Sequence, residues 1–235
     1  MTRDLLYHRV LDALADDRCP VCGIAHEATG RYLKGILHER VNDPELRATL
    51  IRSKGFCATH AWALTRVRDA LGVALLYQDQ IAAAIADVHG TLEALAPRGP
   101  DTCRRGARTP GGIAAGLRQR RRPQAPCPAC RIGDEARRRA LTTLVASLDD
   151  PRFREALERS PFLCLPDLTV AMECGARHDR AGALLALAEC KLRRLGDELA
   201  DLIRKRDYRF LHEPRGAEQT AWLRAIGQLV GWPER

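Results

Sequence analysis

Cys19-Pro20-Val21-Cys22 and Cys127-Pro128-Ala129-Cys130 are two copies of one cysteine pair. Downstream of the first lies Gly55-Phe56-Cys57-Ala58-Thr59-His60, and downstream of the second Pro161-Phe162-Leu163-Cys164-Leu165-Pro166-Asp167. The offset between copies is 108 residues at Cys19/Cys127 and 107 at Cys57/Cys164. Between these landmarks, Asn42-Asp43-Pro44-Glu45-Leu46-Arg47 echoes Asp149-Asp150-Pro151-Arg152-Phe153-Arg154. A duplicated pattern of soft ligands points to two metal or redox centres in one pseudo-twofold chain.

Taken in sequence order, the first constellation is Cys19, Cys22, Cys57 and His60. A C-x-x-C pair at a turn entering a helix brings two sulfurs onto one ion. A C-x-x-H pair three residues apart on a helix presents both side chains on one face. Together they offer tetrahedral Zn²⁺ a Cys₃His set. The second constellation is Cys127, Cys130, Cys164 and Asp167, a Cys₃Asp set. Around a divalent ion it carries −2, against −1 for Cys₃His, and Arg131 and Arg177 are candidates to offset the excess. Cys174 and His178 are substitutes for Asp167. His26, one turn past Cys22, is an extra ligand or a surface histidine; Asp134 is its counterpart. Glu27 and Glu135 read as helix-surface charges. Cys190 sits in an apolar run and reads as core; Cys103 reads as an exposed free thiol.

Three chemistries fit these ligands. Zinc is the first reading. An iron–sulfur cluster is the second, since His or Asp can replace one Cys, although the cysteines do not crowd into one loop as in ferredoxins. Dithiol redox chemistry is the third: Cys-Pro-x-Cys at a helix N-terminus lowers a thiol pKa, but no βαβ pattern surrounds either pair.

The elements that must position the ligands read as helices throughout, with no period-two alternation. Residues 1–17 place Leu5, Leu6, Val10, Leu11 and Leu14 on one face. Pro20 and Pro128 suit first helical positions, and a helix from the first pair runs to about Val41 with Tyr32, Leu33, Ile36 and Leu37 inward. Asp43-Pro44 and Asp150-Pro151 are N-caps of short second helices, ended by Gly55 and Pro161. A third helix carries Trp62, Leu64 and Val67. Long fourth helices run from Gly72 to about Leu95 and from Gly182 to about Lys205, and a last helix spans 218–230. The expectation is an all-α duplicated bundle: four-helix units at 1–96 and 127–235, joined by a disordered linker at 97–126.

The net charge of +8 belongs mainly to that linker, which holds eight arginines and one acid, Asp101. Nucleic-acid binding through it is therefore the third functional reading, behind a structural-metal interaction module with a protein partner and a redox or electron-transfer protein. No run of about 18 apolar residues is found, so a membrane span is not expected. Without an apolar leader the chain reads as cytoplasmic, where its nine cysteines are metal ligands or redox groups before they are disulfides. No P-loop, dinucleotide fingerprint or His-Glu-x-x-His is present; Gly111-Gly112-Ile113-Ala114-Ala115-Gly116 follows no strand. No catalytic set is assembled, and the one opening for metal catalysis is a second site that Asp167 leaves open. Tyr77-Gln78-Asp79 and Lys205-Arg206-Asp207-Tyr208-Arg209-Phe210 either line a pocket or, the simpler reading, are helix ends. Glu213 and Glu218 are placed to meet the linker arginines.

The stretches 19–22, 42–44, 55–60, 72–79, 127–130 and 205–210 resemble an uncharacterised bacterial family, a domain of unknown function numbered 6062. The resemblance implies an all-helical duplicated protein with metal sites and no established activity. It also implies a histidine where this chain has Asp167, and that departure bears on the second site.

Overall fold

The computed structural model describes residues 5–95, 109–174 and 178–234, which form eleven α-helices and no strand. The duplication is visible helix by helix. α2 (Pro20–Glu39), α3 (Pro44–Arg52), α4 (Ala58–Thr65) and α5 (Ala70–Leu95) have 20, 9, 8 and 26 residues. α7 (Pro128–Ala146), α8 (Pro151–Arg159), α9 (Leu165–Glu173) and α10 (His178–Arg204) have 19, 9, 9 and 27. The remaining helices are α1 (Leu5–Ala13), α6 (Pro110–Arg120) and α11 (Ala221–Val230).

The same residues do the same work in both copies. Asp43 accepts the Glu45 and Leu46 amides and Asp150 that of Arg152, while a proline with no donor to lose fills each first turn. Arg47 reaches back to the Val41 carbonyl, as Arg154 does to Leu148. The turn after α3 needs a left-handed residue, and Gly55 supplies it at φ 90°. The matching residue after α8 is Phe162, held at φ 75° although it has a Cβ.

The compact units are not the expected halves. One comprises residues 1–28 and 133–235, the other 29–132. The breaks fall inside α2 and α7 because each helix feeds two cores. Val21 and Ile24 of α2 are buried with Val10, Leu141, Leu144, Phe153, Leu157 and Leu184 in the first unit. Leu33, Ile36 and Leu37 of the same helix are buried with Leu46, Leu50, Leu64 and Leu76 in the second. Likewise Ala129 of α7 belongs to the second core and Ala140, Leu141 and Leu144 to the first.

The stretch 97–126 was expected to be disordered; residues 110–120 instead form α6. Thr109 caps it by accepting the Gly112 amide, with Pro110 in the first turn. α6 packs on α5, and the Arg120 guanidinium lies over Gly90, where a Cβ would stand 2.6 Å from it. Arg121 faces Asp87 at 3.6 Å, and the Gln124 amide bonds the Arg52 carbonyl at 2.8 Å. Residues 97–108, with Cys103, lie outside the described residues. Cys190 is exposed, not core, since the inward face of α10 is set by Leu184, Ala188 and Leu195.

By length and composition α5 could cross a membrane, with a mean hydropathy of 1.2 over 18 residues and only 11% of that window buried. The sequence expectation missed this because Asp79 and Asp87 interrupt the apolar run. Both aspartates are paired, with Arg47 and with Lys54.

Glu213 and Glu218, expected to meet the linker arginines, have cations closer by at the end of α10. Arg204 pairs with Glu213, and Lys205 Nζ with Glu218 at 3.1 Å. Glu218 is buried and accepts the Gly216 amide at 2.8 Å. That backbone bond, then the Gln219 amide and Lys205, hold its carboxyl down to about 2. A depressed carboxyl contributes stability that is present above its ordinary value and lost as pH falls toward 2. Glu218→Gln should therefore lower the urea midpoint, followed by far-ultraviolet circular dichroism, at pH 7 more than at pH 3. An equal loss at both would contradict this.

Candidate metal centres

All eight ligand candidates occupy one of two positions at a helix start. Cys57 and Cys164 are the N-cap residues of α4 and α9, and neither side chain caps its helix. Cys19 precedes α2 and Cys127 precedes α7, each accepting the amide four residues on. Cys22, His60, Cys130 and Asp167 are the third residues of those helices. An N-cap side chain and an N3 side chain lie together over the first turn, where free amides and the helix dipole favour negative charge. That is the physical content of the C-x-x-C, C-x-x-H and C-x-x-D spacings.

The structure brings together Cys57, His60, Cys127 and Cys130 in one group and Cys19, Cys22, Cys164 and Asp167 in the other; within each, the ligand atoms lie within 4.8 Å of one another. The eight residues are those expected, but the sets are exchanged: each centre takes its C-x-x-C from one copy and its fourth donor from the other. Helix length explains the correction. α2 carries the chain about 30 Å from Cys19, and nine-residue α3 returns only about 13 Å, so Cys57 is left well short of the pair it follows. α7 and α8 repeat the same imbalance before Cys164.

Distances suit a tetrahedral ion. Zinc–sulfur bonds of about 2.3 Å give a tetrahedral edge of about 3.8 Å. Cys22–Cys164 and Cys57–Cys130 are each 3.7 Å apart. His60 Nδ1 lies 3.2, 3.6 and 3.4 Å from Cys57, Cys127 and Cys130. Asp167 Oδ2 is 3.2, 3.3 and 3.2 Å from Cys19, Cys22 and Cys164. The carboxylate thus turns a single oxygen to three sulfurs, as the histidine turns a single nitrogen.

The two groups differ in burial and charge. Cys19, Cys22, Cys164 and Asp167 are all buried, whereas the four residues of the other group are half-buried. Arg137 stands 3.2 Å from Asp167 Oδ1, close enough to offset the extra charge but not aligned as a hydrogen bond. This charge partner was missed: the sequence offered Arg131, which is exposed, and Arg177, which is outside the described residues. Burial raises the Asp167 carboxyl to about 6, against the pull of Arg137. Contacts from Cys164 and Cys19 pull Cys22 down, while those with Cys164 and Cys22 raise Cys19. In the half-buried group, burial first and the neighbouring Cys127 next push Cys130 up to about 12.

The C-terminal loop closes over the buried group, which the sequence did not reveal. Gly231, at φ 86°, brings its α-carbon region near Cys22 and Cys164, and the Trp232 amide reaches Cys22 Sγ at 3.5 Å. Arg18 stacks on the Trp232 ring at 5.0 Å, and a Cβ on Gly227 would meet that ring at 2.3 Å. His26 is half-buried and belongs to neither group; Glu27 pairs with Arg9. Cys174 lies against the Arg138 carbonyl at 4.0 Å, so it does not replace Asp167.

These features define an all-helical protein with two Cys-rich groups of four donors that could hold metal ions. Residues 1–235 match the family described as "Family of unknown function (DUF6062)", and the chain belongs to it. It is also 26% identical, over 94% of its length and 99% of the relative's, to an "Uncharacterized 23.9 kDa protein in xynA 3'region" from Caldicellulosiruptor sp. (strain Rt8B.4). No solved structure matches.

Two outcomes are expected. Diamide oxidation of metal-free protein, mapped by mass spectrometry, should yield Cys22–Cys164 and Cys57–Cys130 ahead of Cys19–Cys57 or Cys127–Cys164. Asp167→His should leave Arg137 without its carboxylate and cost about 1–3 kcal/mol in chemical denaturation. Adding Arg137→Leu should recover much of that loss; no recovery would contradict the charge pairing.

Proposed function

We propose that each group holds one Zn²⁺ and that both ions are structural. The observation that carries this reading is the placement of four donors, three of them sulfur, at the N-termini of two helices in each group. Cys57, Cys127, Cys130 and His60 would form a Cys₃His site, and Cys19, Cys22, Cys164 and Asp167 a Cys₃Asp site balanced by Arg137. Four protein donors fill a tetrahedral shell, so the ion supplies folding energy in place of Lewis acidity. The helical body would then serve as an interaction module with a protein partner, and a reducing cytoplasm would keep the thiols available.

The half-buried group supports a second reading. Its thiols reach solvent, as electron-transfer or dithiol chemistry requires, whereas the buried group's do not. Nucleic-acid binding through the Arg-rich segment ranks third; Arg120 and Arg121 already lie against α5.

Elemental analysis and an absorption spectrum of protein purified without oxygen test the proposal. Near two zinc per chain with no visible band is expected; iron with sulfide, or no metal with reactive thiols, would overturn it. Variants test the exchange of ligands. Cys19→Ser with Cys164→Ser should remove one zinc, and Cys19→Ser with Cys57→Ser should remove both. The opposite pattern would restore sequence-order pairing.

A further inference from the structure

In the first unit a cavity of about 280 Å³ opens between the α8–α9 connection, α10 and α11, with Trp232 as one wall. Its apolar floor comprises Phe162, Leu163, Leu165, Ala188 and Leu195. Phe162 is fully buried there and holds a left-handed backbone conformation. In the other copy Gly55 stands at the matching position, next to Lys54 at φ 56°, so the turn itself does not require the phenyl ring. Strained residues of this kind concentrate at ligand sites. The buried indole N–H of Trp232 meets no acceptor.

Cations dominate the polar lining. Arg159, Lys191, Arg194 and Arg224 share the lining with two carboxylates, Asp17 and Glu198, and Arg159 pairs with Glu155 outside it. Arg194 and Arg224 share Glu198 between them. Lys191 Nζ donates to the Ser160 and Glu158 carbonyls, with no carboxylate in an ion pair, and burial lowers its pKa. The lining therefore has positive charge and a donor to spare beside an apolar floor. The volume lies at the small end of ligand pockets.

We propose that this cavity binds a small organic carboxylate: an aliphatic or aromatic body seats against Phe162, Leu165, Leu195 and Trp232, and the carboxylate meets Lys191, Arg194 and Arg224. The site is separate from the ligand sets of the two centres and stands whether or not they hold zinc.

The test uses the full chain with Trp62→Phe and Trp222→Phe, both exposed positions, so that Trp232 is the sole tryptophan and can be excited selectively over tyrosine. Hexanoate, hexan-1-ol and inorganic phosphate are titrated in turn. Hexanoate should saturate and bind at least about tenfold tighter than either the uncharged body or the bodiless anion. Arg194→Glu, with unchanged circular dichroism, should weaken hexanoate about tenfold and leave hexan-1-ol unaffected. No saturation by hexanoate up to roughly 10 mM would overturn the proposal. So would equal affinity for hexan-1-ol, tighter binding of phosphate, or an Arg194→Glu effect on both six-carbon ligands alike.

Discussion

Negative charge gathered at helix N-termini is the constraint from which the rest of this structure follows. Three sulfurs and a fourth electronegative donor lie within 4.8 Å of one another in each group, and negative charge on them would be mutually repulsive. Pointing two helix starts at each group lets the free amides of the first turns oppose that repulsion before any ion is counted. The cost is that α4, α9, α2 and α7 give up an ordinary capping side chain, since a cysteine that turns to the centre cannot accept its own helix's amides. The short helices α3 and α8, which carry no ligand, keep aspartate caps in full.

The buried and half-buried groups solve the same problem under different dielectric conditions. In the second unit the fourth donor is an imidazole, and solvent reaches the half-buried group. In the first unit a carboxylate replaces the imidazole in a dry setting, where an uncompensated charge is costly. Arg137 and the Trp232 amide answer that demand from two directions, one beside the carboxylate and the other at Cys22.

Helices, caps and the eight residues that the two groups gather were legible in the sequence, because each rests on local rules: proline in a first turn, aspartate before it, donors three apart. Partnership between the ligands was not legible. It depends on the difference between a 20-residue helix and the nine-residue helix that follows it, and the repeat itself favoured the wrong pairing by making each copy look self-sufficient. α6 was missed because a composition rich in Arg, Pro and Gly hid one capped turn and one glycine, Gly90, that makes room for Arg120. Cys190 was misjudged by an apolar neighbourhood that, wrapped on a helix, faces several ways. Arg137 and Gly231 were invisible for a simpler reason: their partners are distant in sequence and carry no motif.

Exchanging the ligands also nests them. Cys57 and Cys130 are 73 positions apart, and Cys22 and Cys164, which enclose them, are 142 apart. Closing the longer loop costs only about 0.6 kcal/mol more, so entropy hardly ranks the two. Order of synthesis does. Once residue 130 has left the ribosome the inner group has every donor, while Cys19 and Cys22 must wait, as open thiols on the nascent chain, for Cys164 and Asp167. The loop at Gly231 and Trp232 arrives last of all. A chain that has emerged from the ribosome past residue 130 but not as far as residue 164 would therefore have every donor of one group and leave the other pair of thiols exposed, the state in which the growing chain is most vulnerable to oxidation or to capture of the wrong metal.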